Sequence, residues 1–96
     1  MSPRAKKPRT CTCPIRGRAF KPAGVPLGSV EKVYMTRDEI ETLKLCDVDG
    51  LTQEQAGVRM GVSRGTVQRI LTEARRKTAE ALSQCKAIIL DERPCA

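Results

Sequence analysis

The 96-residue sequence predicts a mainly α-helical fold, in which a three-helix domain contains a helix-turn-helix and two short strands flank the helices. The first observation is residues 51–71, LTQEQAGVRMGVSRGTVQRIL, where two helical patterns meet at a short turn that contains glycine. The second is the apolar residues, which recur at helical spacing on both sides of that turn. The third is chain length, because 96 residues can bury one modest core.

Residues 1–30 are predicted to form an irregular N-terminal arm, since they hold every proline of the chain except Pro94. Residues 1–10 are expected to be mobile in the free protein. The segment 20–27, FKPAGVPL, has enough apolar content to pack over the domain as an ordered loop. The arm has no acidic residue, and its basic residues are Arg4, Lys6, Lys7, Arg9, Arg16, Arg18 and Lys21.

The domain itself is predicted over residues 31–90, followed by a polar tail at 91–96. Its two strand candidates are residues 30–35 and 86–90, which we expect to pair with each other. The alternative is that Ile88, Ile89 and Leu90 pair with a second copy of the chain, since an unpaired apolar edge promotes association. Val33 and Met35 would share one face of the first strand.

Capping residues predict the three helices. Thr36 with Glu39, and Thr52 with Gln55, have the spacing of capping boxes. Ser63 has the chemistry of a further N-cap. The predicted helices are residues 37–48, 53–60 and 64–84, the first ended by Asp49-Gly50 and the second by Gly61.

Apolar spacing predicts which helix faces are buried. Gly57 leaves room where the second and third helices cross, and Val62 is expected to fill the turn between them. Cys46 and Cys85 are expected to be partly buried as small apolar residues. The predicted buried positions of the first helix are Ile40, Leu43 and either Leu45 or Cys46, and those of the third are Val67, Ile70, Leu71, Ala74, Ala81 and Leu82.

Polar side chains at the start of the third helix are of the types that hydrogen-bond base edges and phosphates, and this end of such a helix enters a major groove. The alternative is an ordinary helical hairpin with a solvated basic face. Charge is also segregated, because residues 31–61 are net acidic whereas the arm and residues 62–86 are net basic. The predicted DNA-contacting residues are Thr52, Gln53, Ser63, Arg64, Gly65, Thr66, Gln68 and Arg69.

The chain has two other basic segments. In the arm, Arg4, Lys6, Lys7 and Arg9 lie between prolines and could follow a minor groove, or could form a solubilising tail. In the third helix, Arg75, Arg76 and Lys77 lie about 15 Å from the groove-contacting end at the usual rise per residue. We expect these three to bind phosphates weakly or not at all.

The order of residues resembles a family of small prokaryotic proteins of unknown biological role, predicted to bind DNA through a helix-turn-helix like that of sigma factor region four. The segments FKPAGVPL (20–27), 36–45, 49–56, 60–64 and 69–82 carry the resemblance, which covers nearly the whole chain. It implies a sequence-specific DNA-binding regulator. Gly65 departs from the family pattern, which has a longer polar side chain there, and Gly57 stands where alanine is expected.

Other functions are disfavoured by composition. The chain has five Cys and no His, and only Cys11 and Cys13 are closely spaced, so free thiols are favoured over a metal or redox site. No catalytic motif is present, and we expect no enzyme activity, no cofactor and no small-molecule substrate. Without a long apolar segment or signal peptide, the chain is expected to be soluble and cytoplasmic, with no membrane partner.

Three function classes remain open. The first is a transcriptional regulator that binds double-stranded DNA. The second is a sigma-like interaction module that contacts polymerase or another regulator, and the third is an RNA-binding protein, disfavoured by the scarcity of aromatic residues for base stacking. A homodimer is expected, through Leu82 or the segment Ile88 to Leu90, because a single helix-turn-helix contacts few base pairs.

Overall fold

The computed structural model describes residues 19–90, which form three helices and a small three-stranded sheet. The predicted fold class, mainly helical with short strands, is confirmed. The helix that begins at Arg37 continues as a π-helical segment. In chain order the elements are β1 (Ala19–Phe20), a 3-10 turn (Leu27–Ser29), β2 (Lys32–Met35), α1 (Arg37–Leu43), the π-helical segment (Lys44–Val48), α2 (Gln53–Met60), α3 (Arg64–Gln84) and β3 (Ala87–Leu90).

The sheet has the order β1-β3-β2, with β3 antiparallel to β1 and parallel to β2. The parallel pairing follows from the three helices, which form the crossover between β2 and β3. Val33 and Met35 are buried as predicted, while Tyr34 between them is exposed. Because both edges of β3 are occupied, the alternative in which residues 88–90 pair with a second copy is wrong.

Strand β1 was not expected, because the sequence predicted irregular structure throughout residues 1–30. It comprises only Ala19 and Phe20, which pair with Ile89 and Ile88. Two residues are too few to show the alternation of apolar and polar side chains that identifies a strand. The sequence signal was therefore absent, although the pairing completes the sheet.

A capping box starts α1, with Glu39 N donating to Thr36 Oγ1 (3.2 Å) and Thr36 N donating to Glu39 Oε1 (3.0 Å). The helix then widens into the π-helical segment, in which Asp49 N donates to Lys44 O (2.8 Å). Gly50, at a φ of 78°, follows its end. The predicted helix over 37–48 thus has the right extent, but its last turns are not α-helical. The wider i→i+5 hydrogen bonding of a π-helix has no distinctive sequence pattern by which it could have been predicted here.

The crossing of α2 and α3 depends on Gly57. A Cβ on this residue would lie 2.7 Å from the Val62 carbonyl oxygen and 3.5 Å from Val67 Cγ2. Val62 N donates to Gly57 O (2.9 Å), and Gly61 at the end of α2 has a φ of 75°. This hydrogen bond and left-handed residue form a Schellman-type helix end. Val62 is 38% exposed, so its backbone rather than its side chain occupies the turn, and the expectation that it fills the turn is wrong.

A buried ion pair joins three elements at the other end of the domain. Lys77 Nζ of α3 donates to Glu39 Oε1 of α1 (2.9 Å) and to the Tyr34 carbonyl oxygen of β2 (2.8 Å). The side chains of Lys77 and Glu39 are only 19% and 11% exposed. The sequence showed Glu39 as a capping residue and Lys77 as a surface cation, and gave no sign of this contact.

The C-terminal end of α3 is more exposed than its sequence predicted. Leu82 is 76% exposed and does not contribute to the core. Cys46 is half-buried as expected, but Cys85 is exposed. Cys85 ends the helix in a left-handed conformation (φ 57°), which turns the chain toward β3 and moves its side chain off the buried helix face.

Gly57→Ala should destabilise the fold by about 1–3 kcal/mol, because the new methyl group would force the turn backbone away from α2. Urea unfolding followed by circular dichroism measures the change. Gly28→Ala is the matched control, since a Cβ at Gly28 meets no atom within 4 Å. Equal stability of the two variants would show that the crossing has room for a side chain.

Lys77→Met should destabilise the fold by roughly 1–3 kcal/mol, because it leaves the buried Glu39 carboxylate without its cation. Arg76→Met, on the exposed side of the same helix, should have little effect. Adding Glu39→Gln to Lys77→Met should restore part of the loss, since the buried charge is removed. No recovery in the double variant, measured by urea unfolding, would contradict the role given to this pair.

Candidate nucleic-acid interface

Ser63 organises the start of α3 through its side chain. Its Oγ accepts from Thr66 N (3.1 Å) and lies 3.0 Å from Thr66 Oγ1. Arg69 Nη2, one turn further on, donates to Thr66 Oγ1 (3.3 Å). The three side chains therefore form a hydrogen-bonded row, in which Thr66 supports the guanidinium of Arg69 on the helix surface.

Six of the eight predicted DNA-contacting residues of the domain lie together on the first two turns of α3 and its N-cap. Ser63, Arg64, Gln68 and Arg69 are exposed, and Gly65 and Thr66 are half-buried. The side chain of Val67 is fully buried against Leu45 and Ala56. Burial of Val67 fixes the rotation of α3 about its axis. The polar side chains that precede and follow it are thereby directed to the surface.

Thr52 and Gln53 lie apart from this group in sequence, at the start of α2. The Thr52 side chain accepts from Gln55 N (3.1 Å), and Gln55 Oε1 accepts from Thr52 N (2.9 Å), so the predicted capping box is present. Thr52 is exposed and Gln53 is half-buried. Because the Thr52 amide is engaged in this box, the amide of Gln53 is the one of the two that suits an anion such as a phosphate.

Cations near the turn between α2 and α3 differ from those further along α3 in their ion pairing. Within residues 19–90, no carboxylate oxygen lies within 4.0 Å of Arg59, Arg64 or Arg69. Further along, Arg75 pairs with Asp47 (2.6 Å), while Arg76 pairs with Glu73 (2.7 Å) and Glu80 (2.8 Å). Lys86 pairs with Glu80 (2.6 Å) and Glu31 (3.4 Å).

The ion pairs perturb the carboxyl groups that make them. The hydrogen bond from Arg75 lowers the pKa of Asp47, and that from Arg76 lowers the pKa of Glu73. Glu80 has a lowered pKa because Lys86, and then Arg76, donate to it. These carboxylates are charged at neutral pH, and together with Glu39, the partner of Lys77, they neutralise the densest basic segment of α3.

Arg59 is an unpaired cation of the described region that is not among the DNA-contacting residues predicted from the sequence. It is exposed on the last turn of α2, close in sequence to the Ser63 cap. The available signal was the absence of any acidic residue three or four positions away, where a helical ion-pair partner would stand.

The remaining sequence predictions concern the basic arm, the paired cysteines, metal binding and membrane insertion. Arg4, Lys6, Lys7, Arg9, Cys11 and Cys13 lie outside residues 19–90. Inside that range, no three acidic or cysteine side chains cluster as a metal site would require. None of the helices in the same range has the length and apolar character needed to cross a membrane.

Residues 19–90 define a small three-helix domain, closed by a short sheet, in which exposed cations around the turn before the longest helix have no ion-pair partner among the described residues. The chain belongs to the family described as "Protein of unknown function DUF134", which matches residues 1–93. The family membership inferred from the sequence is thereby confirmed.

Curated relatives are each called a UPF0251 protein. That of Desulforudis audaxviator is 54% identical over 69 residues, covering 72% of this chain and 45% of the relative. That of Halothermothrix orenii is 48% identical, covering 74% of this chain and 53% of the relative. That of Rhodospirillum rubrum is 40% identical over 94 residues, covering 98% and 66%. The chain thus spans about half to two thirds of the length of these relatives. No solved structure matches the chain.

The lowered pKa values predict acid sensitivity. Because the folded Glu80 pKa lies below its ordinary 4.5, its ion pairs stabilise the fold above that pH, and this contribution is lost as the pH falls through the folded value. The urea midpoint of the wild type should therefore fall more steeply than that of Glu80→Gln between about pH 5 and about pH 3. Glu41→Gln, which removes an exposed carboxylate with no cation within 4.0 Å in residues 19–90, should follow the wild type. Identical pH profiles for all three proteins would contradict the assignment.

Proposed function

We propose that the protein binds double-stranded DNA sequence-specifically and acts as a transcriptional regulator, with the start of α3 in the major groove. The single observation that carries the proposal is the division of cations along α3. Arg64 and Arg69 have no carboxylate partner within residues 19–90, whereas Arg75 and Arg76 do. A polyanion would be attracted to the first pair, because their charge is not already neutralised.

The side chains at the start of α3 are suited to contact the base edges and the phosphates of a duplex. Arg64 and Gln68 are exposed, and such side chains form bidentate hydrogen bonds with guanine and adenine respectively. The hydroxyls of Ser63 and Thr66 hydrogen-bond to each other, and the Ser63 hydroxyl also accepts from Thr66 N. They therefore have less capacity left to hydrogen-bond to DNA. Arg64 and Gln68 are therefore the proposed base-contacting residues, and Arg69, whose guanidinium donates to Thr66, is proposed to bind an adjacent phosphate.

Further phosphate contacts would come from other parts of the chain. The start of α2 offers the backbone amide of Gln53 and the exposed side chain of Thr52 to the strand that the first helix of a helix-turn-helix crosses. The arm residues Arg4, Lys6, Lys7 and Arg9 are proposed to follow the adjacent minor groove. In this proposal the protein acts in the cytoplasm, which is the compartment that contains its DNA.

A second candidate is a sigma-like module that contacts polymerase or another regulator. It is favoured by exposed apolar side chains on the helix-turn-helix, since Val58 of α2 is 79% exposed and Val62 is 38% exposed. Apolar side chains of this kind suit a protein partner better than a phosphate backbone. In this case Val58→Ser would abolish partner binding, while duplex binding would be absent in the wild type.

A homodimer remains a proposal. With β3 central in the sheet, two exposed apolar residues near it, Phe20 (61% exposed) and Leu82 (76% exposed), line one cleft with Ala81 and Ile88. Two copies meeting there could place two α3 helices on successive half-sites of a duplex. Leu82→Lys should then give a monomer in sedimentation. A wild type that sediments only as a monomer on a non-palindromic site would exclude the dimer.

Arg64→Ala should weaken binding to a duplex that the full-length wild type selects from a randomised pool. Loss of a bidentate Arg–guanine contact corresponds to about 1–3 kcal/mol, or roughly 5- to 150-fold in Kd. Arg76→Ala is the matched control, the same substitution in the same helix, and should leave Kd unchanged because Arg76 is held by Glu73 and Glu80. A gel-shift titration measures both.

The outcomes separate the function classes. Equal Kd values for the wild type and both variants would remove α3 as the DNA-contacting element. Selection of no duplex by the wild type would remove the proposed function itself. The double variant Arg75→Ala/Arg76→Ala, which spares the structural Lys77, should leave the salt dependence of binding unchanged, whereas Arg69→Ala should reduce its slope if Arg69 neutralises a phosphate.

A further inference from the structure

Gly65 is a glycine that the protein's own fold does not explain. It is the second residue of α3, where glycine is less favourable than alanine because it loses more backbone freedom. A Cβ built on it would meet only Ser63 Oγ, at an ordinary contact distance of 3.9 Å. Its φ is not in the left-handed region. Gly57, by contrast, is required by a backbone atom 2.7 Å away.

The position of Gly65 on the helix points away from the core. At 3.6 residues per turn, the buried Val67 lies about 200° around the axis from Gly65, on the opposite side of α3. Arg69, one turn later, shares the face of Gly65. Arg64 and Arg69 therefore flank a half-buried glycine that has no side chain of its own, and both arginines lack a carboxylate partner in the described region.

We propose that Gly65 is a close-approach position, at which the missing side chain lets the main chain of α3 lie against base-pair edges in the major groove of a duplex. This inference rests on the proposed function. Hydrogen bonds to bases form at about 2.7–3.2 Å, so a helix held off by one methyl group could not keep the flanking contacts. Gly65 thereby sets the depth at which Arg64 and Gln68 bind.

The expected signature is opposite effects on stability and on binding. Gly65→Ala should raise the melting temperature, by about 4 °C if it follows the usual helix preference, because nothing in the fold obstructs the Cβ. The same variant should bind the duplex selected by the full-length wild type at least about tenfold more weakly, a change of about 1.4 kcal/mol. Gly65→Leu should bind more weakly still, since the larger side chain holds the helix further out.

Ser83→Ala is the matched control. It also introduces an alanine into α3, at an exposed residue about 27 Å from Gly65 along the helix axis. Its Kd for the same duplex should equal that of the wild type. Thermal unfolding and gel-shift titration on the full-length proteins measure both quantities.

Two results for Gly65→Ala would overturn the close-approach role of Gly65. Wild-type affinity in Gly65→Ala, with the wild type binding its duplex, would overturn the inference and leave the proposed function in place. A lower melting temperature in Gly65→Ala would also overturn it, because the glycine would then serve the fold. If the wild type binds no duplex, the proposed function fails and this inference fails with it.

Discussion

The close approach of α2 to the turn at Gly57 is the constraint on which the rest of the domain depends. The Val62 carbonyl oxygen occupies the space where a side chain at Gly57 would project. This contact lets α2 and α3 meet with a three-residue turn, and it allows Ala56 and Val67 to pack with Leu45 in one small core. Packing of Val67 in turn determines which side of α3 faces outward, so the surface chemistry of that helix follows from a backbone contact beneath it.

The first two turns of α3 and its middle turns have different roles. Its first two turns present Arg64, Gln68 and Arg69 without an ion-pair partner in the described region, whereas in its middle turns Arg75 and Lys77 join α3 to other elements of the domain. Lys77 shows the difference most clearly, because its ammonium group bonds to both α1 and β2. A basic segment in a sequence is therefore a poor guide to where an anion would bind, unless the positions of the acidic residues are also known.

Local patterns predicted the parts of this fold that local interactions determine. The three N-caps at Thr36, Thr52 and Ser63 were predictable because their partners lie three residues away in sequence. The pairing of Arg75 with Asp47, the burial of Lys77 and the two-residue strand β1 depend on tertiary contacts, and the sequence holds no local signal for them. At the candidate site, residue type identified Arg64, Gln68 and Arg69, but the structure was needed to show that within residues 19–90 Arg69 is unpaired although Glu73 lies four residues away, and that Arg75 pairs with the distant Asp47.

The parallel pairing of β2 with β3 has a consequence for how the chain acquires its structure. Lys32 pairs with Ala87, so the sheet forms only after the segment containing all three helices has been synthesised and brought together. Helices and the contact at Gly57 need only nearby residues, and they are able to form while the chain is still growing on the ribosome. During that interval the apolar side chains of Val33 and Met35 have no strand beside them. The emergence of Ala87–Leu90 then covers the backbone edge of β2 that would otherwise be open to pairing with another chain.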